Sequence, residues 1–298
     1  MIASPTSIAG RFYSYQNERF PLVVLVLSLL PAILSSGAVI SDYPSIVASF
    51  AATLAAVLYL LHIRIVDEHR DFAHDTEHHI TRPIQRGLIS KKELRRISIV
   101  SVIIFLGIAI SFGIYPLLFS LIMLAYSYLA GKEFFIGEKI RQYFFFYNSV
   151  NLIQMLLLQL FVYSIFAGAI PLTILLATHF LFTTVGSVIF EFVRKLKIPG
   201  QDGTGRDTYT WYLGFNNSLI IYIFLLAINT LLCLRIITLV SPNSIFWLQF
   251  CFCLGIIAVA IAVAHQVIRT RYSDRLMQLS FLFTYGVFNI IIYFIKIH

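Results

Sequence analysis

Charged residues are scarce in this chain, and their scarcity excludes an ordinary soluble globular domain. Only 12% of the 298 residues are charged and 59% are hydrophobic, and the mean hydropathy is +0.85. Soluble domains average about 25% charged and about 45–50% apolar residues. The composition therefore predicts an integral membrane protein embedded in a lipid bilayer.

Cysteine is scarce as well, which argues against a disulfide framework. The three cysteines are Cys233, Cys251 and Cys253, and all of them fall within or beside apolar runs. A small polarizable side chain simply packs in such surroundings. We expect neither a disulfide nor thiol chemistry.

Long apolar runs are abundant, and nine of them have roughly the length needed to cross a membrane. The first is too long for a signal peptide and has no convincing cleavage site, so we expect it to be the first span. The fold class predicted is all-α, a polytopic membrane protein with nine transmembrane helices around a central cavity. The nine runs cover residues 20–38, 45–66, 97–112, 116–130, 143–167, 171–193, 213–234, 244–267 and 276–295.

The basic residues indicate which way the spans face. They concentrate before the first span and after the second, fourth, sixth and eighth spans, whereas Arg235 and Lys296 fall on the opposite side. The positive-inside rule then predicts a cytoplasmic N-terminus and cytoplasmic charged loops, with the C-terminal His298 on the opposite side. No nucleic-acid partner is expected.

The loop after the second span carries the most informative pattern. It reads R-I-V-D-E-H-R-D-F-A-H-D-T-E-H-H-I-T-R-P-I-Q-R-G over residues 64–87, with Asp67, Asp71 and Asp75 spaced four apart. On an α-helix, that spacing turns each carboxylate by only about 40° from the last, so all three share one face. Three unpaired carboxylates repel one another unless a cation sits among them, and ligands that are all oxygens favour a hard ion such as Mg²⁺.

Cationic side chains flank the same carboxylates. Arg64 lies one turn before the first aspartate, and Arg82 and Arg86 follow the last. A bound phosphate could use these cations, since Mg²⁺ commonly bridges carboxylates to substrate phosphates. The stretch therefore predicts a metal and diphosphate site at the membrane surface, on the cytoplasmic side.

A second long polar loop follows the sixth span. It reads E-F-V-R-K-L-K-I-P-G-Q-D-G-T-G-R-D-T-Y over residues 191–209. Four spans separate the two loops, which predicts a single domain over 1–298 built from half-repeats at about 20–130 and 143–267, with a ninth helix at 276–295. The motif loops at 64–96 and 191–212 would then enclose one cavity. The second loop offers Glu191, Asp202 and Asp207 as carboxylates and Arg194, Lys195 and Arg206 as phosphate partners.

These features together resemble the UbiA superfamily of intramembrane prenyltransferases. The resemblance covers essentially the whole chain and rests on the nine-span layout, the aspartate triplet with its downstream R-P-x-x-R-G, and the second acidic loop. In that family, a Tyr-Ser pair and a nearby basic residue line the diphosphate pocket, and Tyr126, Ser127 and Lys132 match them at the end of the fourth span. Gly205 and Thr208 resemble the family's G-x-x-T segment.

The chain also departs from the family pattern. Where many members have Asn in the first motif this chain has Asp67, followed by Glu68. The family's second motif is D-x3-D, whereas the nearest pair here is Asp202-x4-Asp207, with Glu191 upstream. Which of these carboxylates bind a second metal ion stays open, with Asp202 preferred, then Glu191 and Asp207.

The resemblance implies a reaction and a set of site residues. The family joins an isoprenoid diphosphate to an acceptor by ionisation of the diphosphate, with Mg²⁺ and basic side chains neutralising the leaving group. The acceptor expected here is lipophilic or aromatic. The implied catalytic and metal-binding carboxylates are Asp67, Asp71, Asp75 and Asp202, with Glu191 and Asp207 as further metal ligands. The implied diphosphate-binding residues are Arg64, Arg82, Arg86, Tyr126, Ser127, Lys132, Arg194, Lys195 and Arg206.

Rival interpretations remain open at this point. A terpene cyclase on the same scaffold would use the isoprenoid diphosphate without an acceptor, and a cation transporter would use the aspartates as a transport site. A CDP-alcohol phosphotransferase is disfavoured because its D-G-x2-A-R signature is absent. The sequence does not choose among acceptors, prenyl lengths or oligomeric states.

The histidines suggest one further rival. His74, His78 and His79 resemble one box of the membrane di-iron desaturases, but those enzymes need several boxes and the remaining histidines form none. We expect these three, with His69, to be polar loop residues. His62 and His179 lie in apolar runs and are predicted to be buried histidines with satisfied hydrogen bonds.

Overall fold

The computed structural model describes residues 7–137, 143–198 and 208–298, and over these ranges the chain is helical, without β-strands. The helices, in chain order, are α1 (Ile8–Arg19), α2 (Leu22–Ile40), α3 (Ile46–Arg70), α4 (Phe72–His78), α5 (Lys91–Ser111), α6 (Ile114–Gly131), α7 (Phe144–Ala167), α8 (Ile174–Lys195), α9 (Tyr209–Leu213), α10 (Phe215–Val240), α11 (Ile245–Ile268) and α12 (Arg271–Ile297).

Nine of the described helices are long and apolar enough to cross a membrane, namely all except α1, α4 and α9. Each coincides with one of the nine apolar runs, so the prediction of an all-α, multi-pass membrane protein is confirmed. The three short helices were not predicted as spans because each is shorter than the roughly 20 residues that a span requires.

Two spans begin well before the predicted residue, and the reason is capping; α10 also continues past the predicted end at 234, to Val240. Helix α5 begins at Lys91 rather than near 97, because Ser90 and Glu93 form a capping box in which each side chain accepts a hydrogen bond from the other's backbone N–H. Thr270 and Ser273 cap α12 in the same way, so it begins at Arg271. Both first turns are charged, and hydropathy alone excludes them although the caps are readable in the sequence.

The helices group into two compact units. One comprises Met1–Leu30 and Ile46–Ala169, and the other comprises Pro31–Ser45 and Ile170–His298. The first unit contains the aspartate triplet, and the second contains the C-terminal end of α8. This grouping reflects packing, whereas the half-repeats at 20–130 and 143–267 concern internal symmetry and stay a prediction.

In the first unit, the short helix α1 packs beside the loop that follows α4. The ring of Tyr15 is fully buried, in one cluster with Phe20, Ile65, Ile84 and Leu94. Burial and the neighbouring Glu68 carboxylate raise the pKa of Tyr15. The opposite face of α1 is exposed. Helix α1 is therefore anchored next to the acidic motif.

In the second unit, buried polar side chains pair within the helix bundle. Nε2 of His179 lies 2.9 Å from Oγ of Ser35, and that hydroxyl donates to Oδ1 of Asn289 at 2.6 Å. In the first unit, Nδ1 of His62 lies 2.8 Å from Oγ of Ser98. Both histidines are therefore hydrogen-bonded as predicted; His179 is buried, whereas His62 is half-buried.

Candidate functional site

The three aspartates keep a helical register although the helix bends between them. Helix α3 ends at Arg70 and α4 begins at Phe72, with Asp71 between them. The backbone N–H of Asp71 donates to the Asp67 carbonyl at 2.8 Å, and that of Asp75 donates to the Asp71 carbonyl at 2.9 Å. The triplet thus spans two helices rather than one continuous helix, and its four-residue spacing is preserved.

A cation lies between two of the three carboxylates, as their repulsion requires, and it is Arg70, a residue that the sequence analysis did not name. Its Nη1 is 2.9 Å from Oδ1 of Asp67. Its Nε and Nη2 donate to the two oxygens of Asp71 at 2.9 and 3.0 Å. The Arg70 side chain is only 8% exposed, and its guanidinium lies 5.6 Å from the ring centroid of Tyr147. The i,i+3 spacing from Asp67 could have identified this partner.

Asp75 differs from the other two aspartates in its burial and its partner. Its side chain is 3% exposed and forms an ion pair with Arg82. The side chains of Asp67 and Asp71 are 28% and 34% exposed. An ion from the solvent can therefore reach Asp67 and Asp71 more directly than Asp75.

Two histidines lie against the buried aspartate. Ligand atoms of His74, Asp75 and His79 all lie within 4.8 Å of one another. His74 belongs to α4, and His79 is the residue at the C-terminal cap of that helix. The prediction that His69, His74, His78 and His79 are loop residues is wrong for the first three, because His69 lies in α3 and His74 and His78 lie in α4.

Glu68 forms a second centre of charge beside the triplet. Its side chain is 1% exposed, and its Oε1 accepts from Nε of Arg19 at 2.8 Å and from Nη2 of Arg64 at 2.7 Å. Its Oε2 is buried and has no hydrogen-bond partner among the residues that the structure describes. Arg64, predicted to bind diphosphate, is therefore engaged by Glu68. Sequence reasoning named Glu68 only as a departure from the family pattern, yet its i,i+4 spacing from Arg64 was visible.

The R-P-x-x-R-G segment folds into a tight turn. The Arg86 N–H donates to the Arg82 carbonyl at 3.0 Å, and Gly87 follows with φ +76°, a conformation that side chains other than glycine rarely adopt. The Arg86 guanidinium donates to Glu18 of α1 at 3.1 Å and to the Thr81 carbonyl at 3.1 Å. Arg86 thus attaches this turn to α1.

The residues matched at the end of α6 lie in the same unit as the triplet. Tyr126 donates its hydroxyl to the Val150 carbonyl at 2.8 Å. Ser127 is buried, and its Oγ lies 3.1 Å from Nε2 of His62. Lys132 is the exposed C-terminal cap of α6. Each hydroxyl already has a partner within the unit, and the predicted phosphate contacts of these residues stay predictions.

In the second unit, the end of α8 carries one carboxylate and its two predicted cations. Arg194 Nη2 lies 2.8 Å and Lys195 Nζ lies 2.9 Å from the oxygens of Glu191, whose side chain is 19% exposed. Where the described residues resume at 208, the side chain of Thr208 caps α9 by accepting a hydrogen bond from the Trp211 N–H at 3.2 Å. Asp202, Arg206 and Asp207 lie outside the described residues.

Comparison with known protein families gives one match that spans most of the chain. The model of the UbiA prenyltransferase family matches residues 25–287, a range that includes the aspartate triplet, the end of α6 and the end of α8. A sequence search of the curated proteins finds no match.

Solved structures share the fold at low sequence identity. A UbiA homologue from Aeropyrum pernix K1 superposes with a TM-score of 0.64 at 17% identity, over 90% of this chain and 97% of that chain. A digeranylgeranylglyceryl phosphate synthase gives 0.60 at 15% identity, over 95% and 99%. A UbiA homologue from Archaeoglobus fulgidus bound to DMAPP and Mg²⁺ gives 0.58 at 16% identity, over 95% and 98%.

Proposed function

We propose that this chain, which belongs to the UbiA prenyltransferase family, transfers a prenyl group from an isoprenoid diphosphate to a lipophilic or aromatic acceptor. The observation that carries the proposal is the triplet Asp67, Asp71 and Asp75, held in register with Arg70 and Arg82 against it. The carboxylates can bind a metal ion, and the neighbouring arginines can bind phosphate oxygens. Together they suit the binding of a diphosphate with its metal ion.

Relatives of the same fold support this substrate class. The homologue from Archaeoglobus fulgidus has been solved with DMAPP and Mg²⁺ and with GPP and Mg²⁺. Because these relatives are only 16% identical to this chain, they support the class of substrate and not the prenyl length. The identity of the acceptor is to be determined by experiment.

The donor set fits Mg²⁺ best at Asp67 and Asp71. Both are oxygen donors, both are partly exposed, and they lie one helical turn apart. When bound, Mg²⁺ would supply positive charge that stabilises the departing diphosphate. Arg70 already bridges the same two carboxylates, so it would have to share them with the ion. Asp75 is buried against Arg82, so it would hold that arginine in place and would meet a Mg²⁺ ion less directly than the other two aspartates.

The side chains of this protein would act by binding and orienting the diphosphate. Arg70 and Arg82 contact the triplet directly, and each could donate hydrogen bonds to phosphate oxygens as well. Stabilising charge as it develops is commonly the largest catalytic contribution. We propose further diphosphate contacts from Arg64, Arg86, Tyr126, Ser127, Lys132, Arg194, Lys195 and Arg206, and a second metal ion on Asp202, with Glu191 and Asp207 as alternatives.

The proposal also includes an orientation in the membrane. The structure is that of an integral multi-pass membrane protein, with nine candidate spans among the described residues. The distribution of Lys and Arg supports a cytoplasmic N-terminus, an active site at the cytoplasmic face and a C-terminus on the opposite side. Labelling of single cysteines introduced at position 92 and at position 298, in intact and opened vesicles, tests this orientation.

The direct test is a product assay with the full chain in lipid vesicles. Short and long isoprenoid diphosphates are supplied with quinone-ring acids, sugar phosphates or glycerol phosphates as acceptors, with and without Mg²⁺. We expect diphosphate release and a prenylated acceptor only when Mg²⁺ and a suitable acceptor are both present. If a hydrocarbon or a terpene alcohol forms without any acceptor, the protein is a terpene cyclase and not a prenyltransferase. No consumption of any diphosphate would overturn both.

A further inference from the structure

We propose that His74, Asp75 and His79 form a binding site for a divalent transition metal ion such as Zn²⁺, separate from the oxygen donors Asp67 and Asp71. The first observation is that the ligand atoms of these three side chains lie close together. One ligand atom from each of the three residues lies within 4.8 Å of the others, although the residues span a helix and its C-terminal cap.

The local backbone explains how the three side chains meet. The His79 N–H donates to the Asp75 carbonyl at 2.9 Å, which keeps these two residues one helical turn apart on the same side. His79 itself leaves the helical conformation, with φ −137° and ψ 51°. Its ring consequently lies near that of His74, with 6.0 Å between the ring centroids.

The separations are close to those that a metal ion needs. Zn²⁺ bound tetrahedrally at about 2.0–2.1 Å places neighbouring ligand atoms about 3.3–3.4 Å apart. Side-chain rotation can close the remaining gap from 4.8 Å, because His74 is exposed and His79 is only half-buried. The exposed imidazole also gives an ion a route from solvent to the buried carboxylate.

The donor chemistry selects the class of metal. Two imidazole nitrogens with one carboxylate suit zinc, iron, nickel or copper, whereas Mg²⁺ prefers oxygens and water. Three protein ligands would leave a further coordination position for water or another group. This donor set is therefore chemically distinct from the neighbouring pair of aspartates.

The ion pair with Arg82 is compatible with this site. Arg82 contacts one oxygen of Asp75, and a carboxylate has a second oxygen that can bind an ion. The Arg82 side chain is 26% exposed, so it can also move outward when a divalent ion arrives. Metal binding at Asp75 would consequently change how firmly Arg82 is held.

The test measures zinc bound by the purified full chain. Protein in detergent is stripped with a chelator, equilibrated with Zn²⁺ in the presence of excess Mg²⁺, desalted and analysed for metal. We expect one equivalent of zinc in the wild type. His74→Ala and His79→Ala should each weaken zinc binding by more than about 10-fold, the lower end of what the loss of even an indirect metal partner costs.

The matched control is His69→Ala. His69 lies on α3 and contacts the carbonyls of Ile65 and Lys91, and it is not one of the three converging residues. This variant should bind zinc as the wild type does, and size-exclusion chromatography checks that every variant is folded. The site is overturned if the wild type retains no zinc, or if His74→Ala and His79→Ala bind it as tightly as His69→Ala.

An activity measurement extends the test and rests on the proposed function. Zinc at Asp75 should inhibit prenyl transfer at saturating Mg²⁺, because it shares the third carboxylate of the motif with Arg82 and so weakens the ion pair that positions this arginine. His74→Ala should resist that inhibition by about 10-fold in zinc concentration, in line with its weaker binding. If the chain transfers no prenyl group, the metal analysis still decides whether the site exists.

Discussion

The acidic motif of the first unit and the end of α8 in the second unit both pair carboxylates with cations, but they are built differently. In the first unit two pairs lie within α3, but Arg19 of α1 also reaches Glu68 of α3, and Arg82 of the turn after α4 reaches Asp75. In the second, Glu191 pairs with residues three and four positions later on its own helix. The carboxylates of the first set are Asp67, Glu68, Asp71 and Asp75, and their partners are Arg19, Arg64, Arg70 and Arg82.

This difference separates a specific site from an ordinary helix end. Pairs spaced i,i+3 or i,i+4 contribute only about 0.2–0.5 kcal/mol each, and basic residues are common in the last turn of helices. Buried charges such as Glu68 and Asp75 are costly to desolvate, and a hydrophobic replacement is often as stable. Their presence in the first motif is therefore better explained by the proposed binding of a metal diphosphate than by stability.

The largest effect is expected when the first motif loses a metal ligand. Asp71→Asn keeps the size of the side chain and removes its charge, so it should lower the rate of prenyl transfer by about 100-fold or more. Initial rates of diphosphate release at saturating Mg²⁺ provide the measurement. The matched control is Asp42→Asn, which alters an exposed aspartate paired with Lys296 and should leave the rate unchanged. Equal rates of prenyl transfer in Asp71→Asn and Asp42→Asn would show that Asp71 does not belong to the active site.

A smaller effect is expected when the cation between the two aspartates is removed. Arg70→Ala leaves Asp67 and Asp71 facing each other without their shared partner. Breaking a buried ion pair lowers the free energy of unfolding by about 3–5 kcal/mol. Because these carboxylates are partly exposed, we expect Arg70→Ala to lower it by about 1–3 kcal/mol. Thermal unfolding in detergent measures the loss.

The same variant distinguishes a metal site from a structural ion pair. Mg²⁺ should raise the melting temperature of Arg70→Ala more than that of the wild type, because the ion replaces the missing cation. The exposed Arg95 gives the control Arg95→Ala, whose response to Mg²⁺ should equal that of the wild type. An identical Mg²⁺ response in Arg70→Ala would argue against metal binding by Asp67 and Asp71.

The second unit should be less sensitive at the matched position. Glu191→Gln removes a carboxylate whose partners lie on its own helix, so we expect prenyl transfer to fall by less than about 10-fold, equivalent to about 1.4 kcal/mol. The assay and the Mg²⁺ concentration are those used for Asp71→Asn. A loss as large as that of Asp71→Asn would place Glu191 among the metal ligands and make the two regions equivalent.

The smallest effect is expected at the edge of the first motif. Arg86 and Glu18 form an exposed ion pair, and such pairs contribute about 0–1 kcal/mol. Arg86→Ala should lower the stability by no more than this and change the Michaelis constant for the diphosphate by only a few-fold. A Michaelis constant raised more than about 10-fold would instead assign Arg86 to diphosphate binding, the role that the family resemblance implies.

Much of this architecture could be predicted from the sequence because it depends on local signals. The nine spans follow from the length of each apolar run, and the triplet follows from its spacing. The pair between Arg70 and Asp67 has a local signal too, the i,i+3 spacing on one helix. Hydropathy omitted the charged first turns of α5 and α12, although their capping residues mark them.

Other parts of the site depend on tertiary structure and had no local signal. Arg19 reaches Glu68 from 49 positions away in the chain, and nothing in the sequence near either residue indicates the pairing. His79 lies near His74 because the backbone of His79, at the C-terminal cap of α4, is not helical. The different burial of Asp75 relative to Asp67 and Asp71 is also a property of packing rather than of spacing.

The attachment of α1 also bears on the order in which the chain can assemble during synthesis. Helix α1 leaves the ribosome before the segments that it contacts, because its charged partners Glu68, Arg86 and Glu93 follow Arg19, Glu18 and Arg11 by 49, 68 and 82 positions. It therefore waits, undocked, until two membrane spans have been made and the third has begun. Since domains generally fold as their residues emerge, the docking of α1 marks the moment at which the acidic motif is first complete.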